Sequence, residues 1–324
     1  MKVLLTAPYV GEFGWEVMAW QGRVRRWFHE GGFDRVCVLG APGKEALYAD
    51  LPLTYRSVDL SGLPGRASMD GRVFENEGAM LEPGQIRDAL ALIVHHVKAE
   101  LEDGGADVIE RWPGFDGTLW PCAEPFQQFV RYGDDANRSA SASPCVALVR
   151  RTRACGAANW VSSDWDALSD RLRERGIDVV DMPLDAARAI ELLSRCDLAV
   201  GQSTGGLHLA SLCGCPHVVW SPEPARRWTR WQMTNRQRYD VFWNPFGTPV
   251  QYHGVDGLPS VDDAVGWTMA GMRAIGRRTG TARALMVHRQ AWRLRRWVVD
   301  TVLPSQAFRR SPWRVQNFVK QAMV

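Results

Sequence analysis

The chain is 324 residues long, 46% hydrophobic and 23% charged, with a formal net charge of +3. Such a length suits about two domains, each able to bury its own core, and the composition supports a soluble folded protein. No apolar run approaches the roughly 18 residues of a membrane-spanning helix.

Residues 3–6 read as an apolar strand, 15–29 as a helix, 35–39 as a second strand, 44–50 as a short helix and 54–58 as a third strand. An amphipathic helix over 86–101 and a strand over 107–110 complete the first half. Seven cysteines, an odd number with no CxxC pair, fit reduced thiols. The opening MKVLL reads as a strand start rather than a signal peptide, so the expected compartment is the cytoplasm.

The loop between the first strand and the first helix, APYVGEFGWE, holds two glycines, Gly11 and Gly14, and two carboxylates, Glu12 and Glu16. A carboxylate within hydrogen-bond reach of a hydroxyl can act as general base, an effect of about 10²–10⁴-fold. As first-turn acids, both would also favour the helix dipole. The second such loop, GAPGK over 40–44, lacks the Walker spacing and its following Ser or Thr. His95 and His96 are adjacent, so on a helix they point about 100° apart and cannot chelate one ion together. No metal site is expected.

The polar, small-residue run GDDANRSASAS over 133–143 reads as an interdomain linker. Beyond it come a strand (145–149), a basic loop with Arg150, Arg151 and Arg153, a helix (164–175), a strand (178–181), a helix (185–194) and a strand (197–200). A glycine turn, GQSTGG over 201–206, then leads to a small-residue helix (207–213) and a strand (217–220). Repeated βαβ units imply a parallel sheet with ligand sites at the strand C-terminal ends. The turn leaves unpaired backbone N–H groups at a helix N-terminus, which suits phosphate. Ser203 and Thr204 can cap that helix or bond a phosphate oxygen, and His208 lies one turn in.

At these residues the chain resembles glycosyltransferase family 9, the heptosyltransferase-like enzymes of the two-domain GT-B fold. The helix start Ser203-Thr204-Gly205-Gly206-Leu207-His208, the turn Trp220-Ser221-Pro222-Glu223 and the segment Ala158-Asn159-Trp160-Val161 followed by Trp165 carry the resemblance. It departs from the family at Ser203, where an Asp is usual, and at Ala158, where a Lys is usual. Gly11-Glu12 matches the family's Gly-Asp pair, whose carboxylate is the general base.

The resemblance implies an α/β protein of GT-B type: two Rossmann-like domains whose parallel sheets face a central cleft, followed by basic C-terminal helices. The expected division is 1–132 for the acceptor-side domain, 133–144 for the linker, 145–265 for the donor-binding domain and 266–324 for a basic tail. It further implies a metal-independent hexosyl- or heptosyltransferase with no cofactor, taking a nucleotide-diphosphate sugar as co-substrate. Glu12, ahead of Glu16, is the expected base. Arg150, Arg151, Arg153, Asn159, Trp160, Ser203, Thr204, Gly205, Gly206, His208 and Glu223 are the expected donor contacts, with Gly11 and Gly14 in the acceptor-side loop. The expected acceptor is an envelope glycan or a lipid-linked oligosaccharide. A phage-type DNA glycosyltransferase acting on a hydroxylated base, and a non-catalytic nucleotide- or glycan-binding module, are the alternatives.

Charge is unevenly spread: residues 271–324 hold twelve Lys/Arg against the single acid Asp300, so the tail carries about +11 and the rest about −8. Within it 281–302 reads as a helix with an apolar stripe of Val287, Ala291, Leu294 and Val298. Interleaved Trp and Arg suit docking onto the acidic body, an anionic membrane surface at the inner membrane face, or nucleic acid. A second cluster, RRWTRW over 226–231, follows the Pro222-Glu223-Pro224 turn and suits phosphate and base or sugar contacts.

Overall fold

The computed structural model describes residues 1–60, 65–67, 73–75, 80–81, 83–113, 127–133, 143–151, 159–222, 235–237, 239 and 243–275. The helix expected over 281–302, the 226–231 cluster, Arg153, Ala158 and Glu223, and most of the expected linker lie outside the described residues.

The first half begins with β1 (Lys2–Thr6), followed by three continuous helical pieces: α1 (Phe13–Trp15), a π turn (Glu16–Trp20) and α2 (Gln21–Gly31). Then come β2 (Arg35–Gly40), a 3₁₀ turn (Glu45–Tyr48), β3 (Leu53–Ser57), the short strands β4 (Gly65–Ala67), β5 (Val73–Glu75) and β6 (Met80–Leu81), α3 (Pro83–Asp103) and β7 (Asp107–Arg111). The second half holds β8 (Cys145–Val149), α4 (Ser162–Arg173), β9 (Asp178–Asp181), α5 (Ala186–Arg195), β10 (Leu198–Gln202), α6 (Gly205–Leu212), β11 (His217–Pro222), α7 (Asn235–Gln237), β12 (Val250–Val255) and α8 (Val261–Ile275).

Two parallel sheets result, β3-β2-β1-β7 and β12-β11-β10-β8-β9, with a small antiparallel β4-β5-β6 sheet beside them. This is the α/β, two-sheet arrangement expected from the repeated βα pattern. Parallel strands need crossover helices on both faces, which is why the central strands β1, β8 and β10 are buried along almost their whole length while the edge strands β3, β7, β9 and β12 carry polar residues.

The two-residue period of each strand sorts its side chains between cores. Val3 and Leu5 pack with Val94 and Val97 of α3, whereas Leu4 faces the other way, with Met18 and Trp20. In the second sheet Val146, Leu148, Val200, Val218 and Trp220 join Trp160, Trp165 and Leu168. Ala147, Val149, Ala199 and Val219 point to the opposite face, into the same core as Leu4 and Trp20. The largest core is therefore shared: α1 and the π turn from the first half press on α6, and the 3₁₀ turn presses on α5. Burial of each large apolar side chain stabilises by about 1.5–3 kcal/mol, so this core fixes the two halves to each other.

Two boundaries move relative to the sequence reading. The crossing between halves is under way within 127–133: Gln128 N–H donates to Gly22 O at 2.8 Å in the first half, while Tyr132 N–H donates to Leu212 O at 3.1 Å in the second. At the other end, residues 266–275, assigned from sequence to the basic tail, continue α8. Ala264, Val265, Thr268 and Gly271 bury one face of it, because their spacing of one, three and three residues keeps them on a single side.

His217, at the start of β11, is 1% exposed; its Nδ1 lies 3.0 Å from Cys215 O, and its buried Nε2 has no partner among the described residues. Burial lowers its pKa to about 4 from the usual 6.5, against the raising effect of the Cys215 carbonyl. The unfolded chain binds this proton first, so His217 contributes full stability above pH 6.5 and loses it as pH falls through 4. The shift corresponds to about 3 kcal/mol across that window. Urea titrations should show a shallower acid limb between pH 6.5 and 4 in His217→Gln than in wild type, and identical limbs would refute the assignment.

Candidate functional site

The C-terminal ends of both parallel sheets converge. The backbone leaves β1 at Thr6 and reaches Glu12, which holds the N-cap position of α1 with extended backbone and accepts from the N–H of Trp15 (2.9 Å) and of Glu16 (3.2 Å) through its carbonyl. In the second half the chain leaves β10 at Gln202 and enters α6 through Thr204. Thr204 is extended (φ −160°, ψ 166°) and its side chain makes no cap bond. Ser203 does not cap either: its Oγ accepts from Tyr239 OH at 2.8 Å. The first N–H groups of α6, those of Gly205 and Gly206, have no acceptor within the helix, and the helix dipole adds positive potential there.

These two ends touch. A Cβ on Gly205 would lie 2.5 Å from Gly14 N and 2.9 Å from both Gly14 Cα and Phe13 Cδ1; a Cβ on Gly14 would lie 2.8 Å from His208 Cδ2. Only glycine permits such backbone contact, so the pair Gly14 and Gly205 sets the separation between the carboxylate loop and the anion-binding helix end. His208 is 7% exposed and stacks near Trp243 (4.3 Å between ring centroids) and Tyr239 (5.2 Å). Trp15 meets Trp243 edge-on at 6.4 Å, carrying the contact back to the first half. The Trp243 segment is fastened to α6 through Ser211 Oγ, which lies 2.7 Å from both His208 O and Trp243 O and shares its one proton between them, and through Thr248 Oγ1, which donates to Ser211 O at 2.7 Å.

Glu12 and Glu16 occupy different environments. Glu12 is half-buried at the loop, whereas Glu16 is 2% exposed and paired with Lys44, with Tyr48 OH 3.5 Å from its other oxygen. Burial pushes the Glu16 carboxyl up, and Lys44 and Tyr48 pull it back down. The π turn starts at Glu16: Gln21 N–H reaches five residues back to Glu16 O, and all five residues of the turn are buried. Burial also holds the Tyr9 phenol well above its usual range, Glu16 and Glu12 adding to the effect, so Tyr9 stays neutral near both carboxylates. Lys44 additionally lies 5.7 Å from the Phe13 ring centroid. The sequence reading passed over Lys44. It lies four residues past the end of β2, and neighbouring strand ends in a parallel sheet bring their loops together, which is the signal that points to it.

The second-half arginines divide. Arg150 gives Nε and Nη2 to Asp181 (2.6 and 2.9 Å) and Nη1 to Asp166 (3.1 Å), so its guanidinium is committed to carboxylates away from the helix end. Arg151 is 8% exposed and bonds Asn159 Oδ1. Because Val149 is in register with Gly201, Arg151 and Ser203 each stand two residues beyond that pair, so the loops that carry them leave neighbouring strands side by side. Trp160 is 5% exposed; it packs on Trp165 and Trp220 and donates Nε1–H to Pro259 O at 3.0 Å. Its ring is thus part of the core, whereas the resemblance led to the expectation of a donor contact. Tyr239 and Trp243 gave no sequence signal, since they lie in a segment with no hydrophobic period and reach the site only by tertiary packing.

No protein-family model matches the chain, and no curated protein matches it. Solved structures similar to it are glycosyltransferases. A glycosyl transferase family 9 protein from Veillonella parvula has 8% identity and a TM-score of 0.48, covering 84% of this chain and 97% of that one. The E. coli ADP-heptose LPS heptosyltransferase II has 12% identity and a TM-score of 0.47, covering 85% of this chain and 98% of that one. The E. coli heptosyltransferase WaaC with ADP has 11% identity and a TM-score of 0.44, covering 84% of this chain and 100% of that one.

Proposed function

We propose that the chain is a glycosyltransferase that moves a sugar from a nucleotide-diphosphate donor to an acceptor hydroxyl. The observation that carries this reading is the contact of Gly14 with Gly205, which sets an uncapped helix end and a half-buried carboxylate on one seam. The N–H groups of Gly205 and Gly206 bind the donor diphosphate, with Ser203, Thr204, Arg151 and Asn159 at its edge. Glu12 accepts the proton of the acceptor hydroxyl as its oxygen attacks the anomeric carbon and the bond from that carbon to the diphosphate breaks. The helix end then stabilises the charge left on the departing nucleoside diphosphate.

In this reading no metal or cofactor takes part, because fixed backbone dipoles and Arg151 meet the developing charge. A hexosyl or heptosyl group is transferred, and the acceptor is an envelope glycan or a lipid-linked oligosaccharide. The protein works in the cytoplasm, with the basic tail resting on the inner membrane face. Among the described residues no helix is long and apolar enough to cross a membrane.

Thermal-shift and calorimetric titration with ADP, UDP, GDP and CDP test the donor site. One of them should stabilise the protein by about 2.7 kcal/mol at a hundredfold excess over its Kd. Gly205→Ala should abolish that stabilisation while costing roughly 1–3 kcal/mol of its own through overpacking. Indifference of the wild type to all four nucleotides would sink the proposal.

A further inference from the structure

Two thiols meet at the opposite end of the second sheet, away from the helix end and the carboxylate loop. Cys145 opens β8, and Cys196 caps the C-terminus of α5. The register that sets Val146 against Leu198 draws these two residues together at the N-terminal ends of their strands. Their Sγ atoms lie 2.9 Å apart, although the residues are 51 positions apart in sequence. Among the described cysteines, Cys37, Cys196, Cys213 and Cys215 are buried, whereas Cys145 is half-buried and reachable.

We propose that Cys145 and Cys196 form a two-cysteine oxidation site that closes to a disulfide on meeting a low-molecular-weight disulfide such as oxidised glutathione. The chemistry of the pair is asymmetric in the direction this needs. The hydrogen bond from Cys196 holds the Cys145 thiol below its usual range, and that same bond, with burial, pushes Cys196 far above it. Cys145 is thus the attacking thiolate and Cys196 the resolving thiol.

In the first step Cys145 Sγ bonds to one sulfur of the oxidised glutathione, whose S–S bond breaks and releases one glutathione thiolate. In the second, Cys196 gives up its proton and its Sγ bonds to Cys145 Sγ, releasing the second glutathione thiolate. The two protein thiols lose two electrons, the oxidised glutathione gains them, and the two thiol protons end on the two released glutathiones.

The bond would clip the start of β8 to the end of α5. The other end of α5 touches the first half, where Ala186 N–H donates to Gly43 O at 2.8 Å. Closing so long a loop restricts the unfolded chain and raises stability.

The test treats the full-length native protein with oxidised glutathione and maps its peptides by mass, with and without dithiothreitol. The expected result is a Cys145–Cys196 linked peptide that dithiothreitol removes, together with a Tm rise of roughly 5 °C that reverses on reduction. Cys196→Ser should instead retain one glutathionyl group on Cys145, and Cys145→Ser should leave Cys196 reduced. If Cys196→Ser does not fold, wild type and Cys145→Ser decide the matter between them. Absence of the linked peptide, its formation only in denaturant, linkage of either cysteine to another one, or an unchanged Tm on oxidation would overturn the proposal.

Discussion

Glu12→Gln is expected to lower kcat by about 10²–10⁴-fold while leaving nucleotide binding and Tm unchanged. Gln keeps the size and hydrogen-bonding reach of Glu but cannot take a proton. Glu12 is bound to α1 through its backbone carbonyl, which accepts from the N–H groups of Trp15 and Glu16, and the substitution leaves both of these bonds in place. The variant therefore isolates proton transfer from architecture. Release of nucleoside diphosphate from a sugar nucleotide in the presence of acceptor reports the rate, and titration with the same diphosphate reports donor binding. An unchanged kcat would remove Glu12 from the mechanism, while a matching loss of nucleotide affinity would make it a binding residue instead.

Lys44→Met is expected to cost about 3–5 kcal/mol of stability, the usual consequence of removing one partner from a buried ion pair. The Glu16 side chain is 3% exposed and that of Lys44 21%, so the carboxylate is the charge that would be stranded. The cost has a definite pH dependence. Burial already raises the folded pKa of Glu16 above its usual 4.5, and Lys44 is the first counterweight. Between the unfolded and folded pKa values the native state holds the proton more often than the unfolded state, so stability falls as pH rises. Removing Lys44 raises the folded pKa further and widens that window. Urea unfolding of Lys44→Met should show a larger loss at pH 8 than at pH 5, and the double variant Glu16→Gln/Lys44→Met should recover most of it. A cost below about 1 kcal/mol, or no recovery in the double variant, would mean that the pair does not hold this part of the fold. Because Lys44 also lies over the Phe13 ring, whose edge borders Gly205, turnover should fall along with stability.

The shared core bears on how the seam works. Two domains joined by a small polar interface swing about their linker by default. Here Trp20, Leu47 and Tyr48 from one half and Ala189, Leu193 and Leu209 from the other bury in one cluster. The carboxylate loop and the helix end are thereby held in contact, and the proposed general-base and anion stabilisation would draw on that fixed separation.

The strands and helices of both halves were legible because parallel sheets bury both faces and their crossover helices carry a single apolar stripe, patterns written locally along the chain. The strand over 145–149 stands where the residues alone place it, and the helix expected from 207 begins two residues earlier, at Gly205. Glu12 and Glu16, by contrast, look alike in sequence: both are acids beside a glycine or an aromatic at the start of one helix. Their separation into a half-buried loop carboxylate and a buried partner of Lys44 came from a residue 28 positions away from Glu16.

Arg150, Arg151 and Arg153 likewise look interchangeable in sequence, yet the carboxylates of Asp181 and Asp166 take Arg150 out of the site. Trp160, expected from the resemblance as a donor contact, has its ring against Trp165 and Trp220. The sequence by itself determined the α/β order, the glycine turn that precedes a helix and the loop with its two acids, since hydrophobic period and glycine spacing act over a few residues. Only the tertiary structure decided which acid is buried against Lys44, which arginine is taken up by carboxylates, where the two halves share their core and which two of the described cysteines meet, because each depends on side chains brought together from distant strand ends.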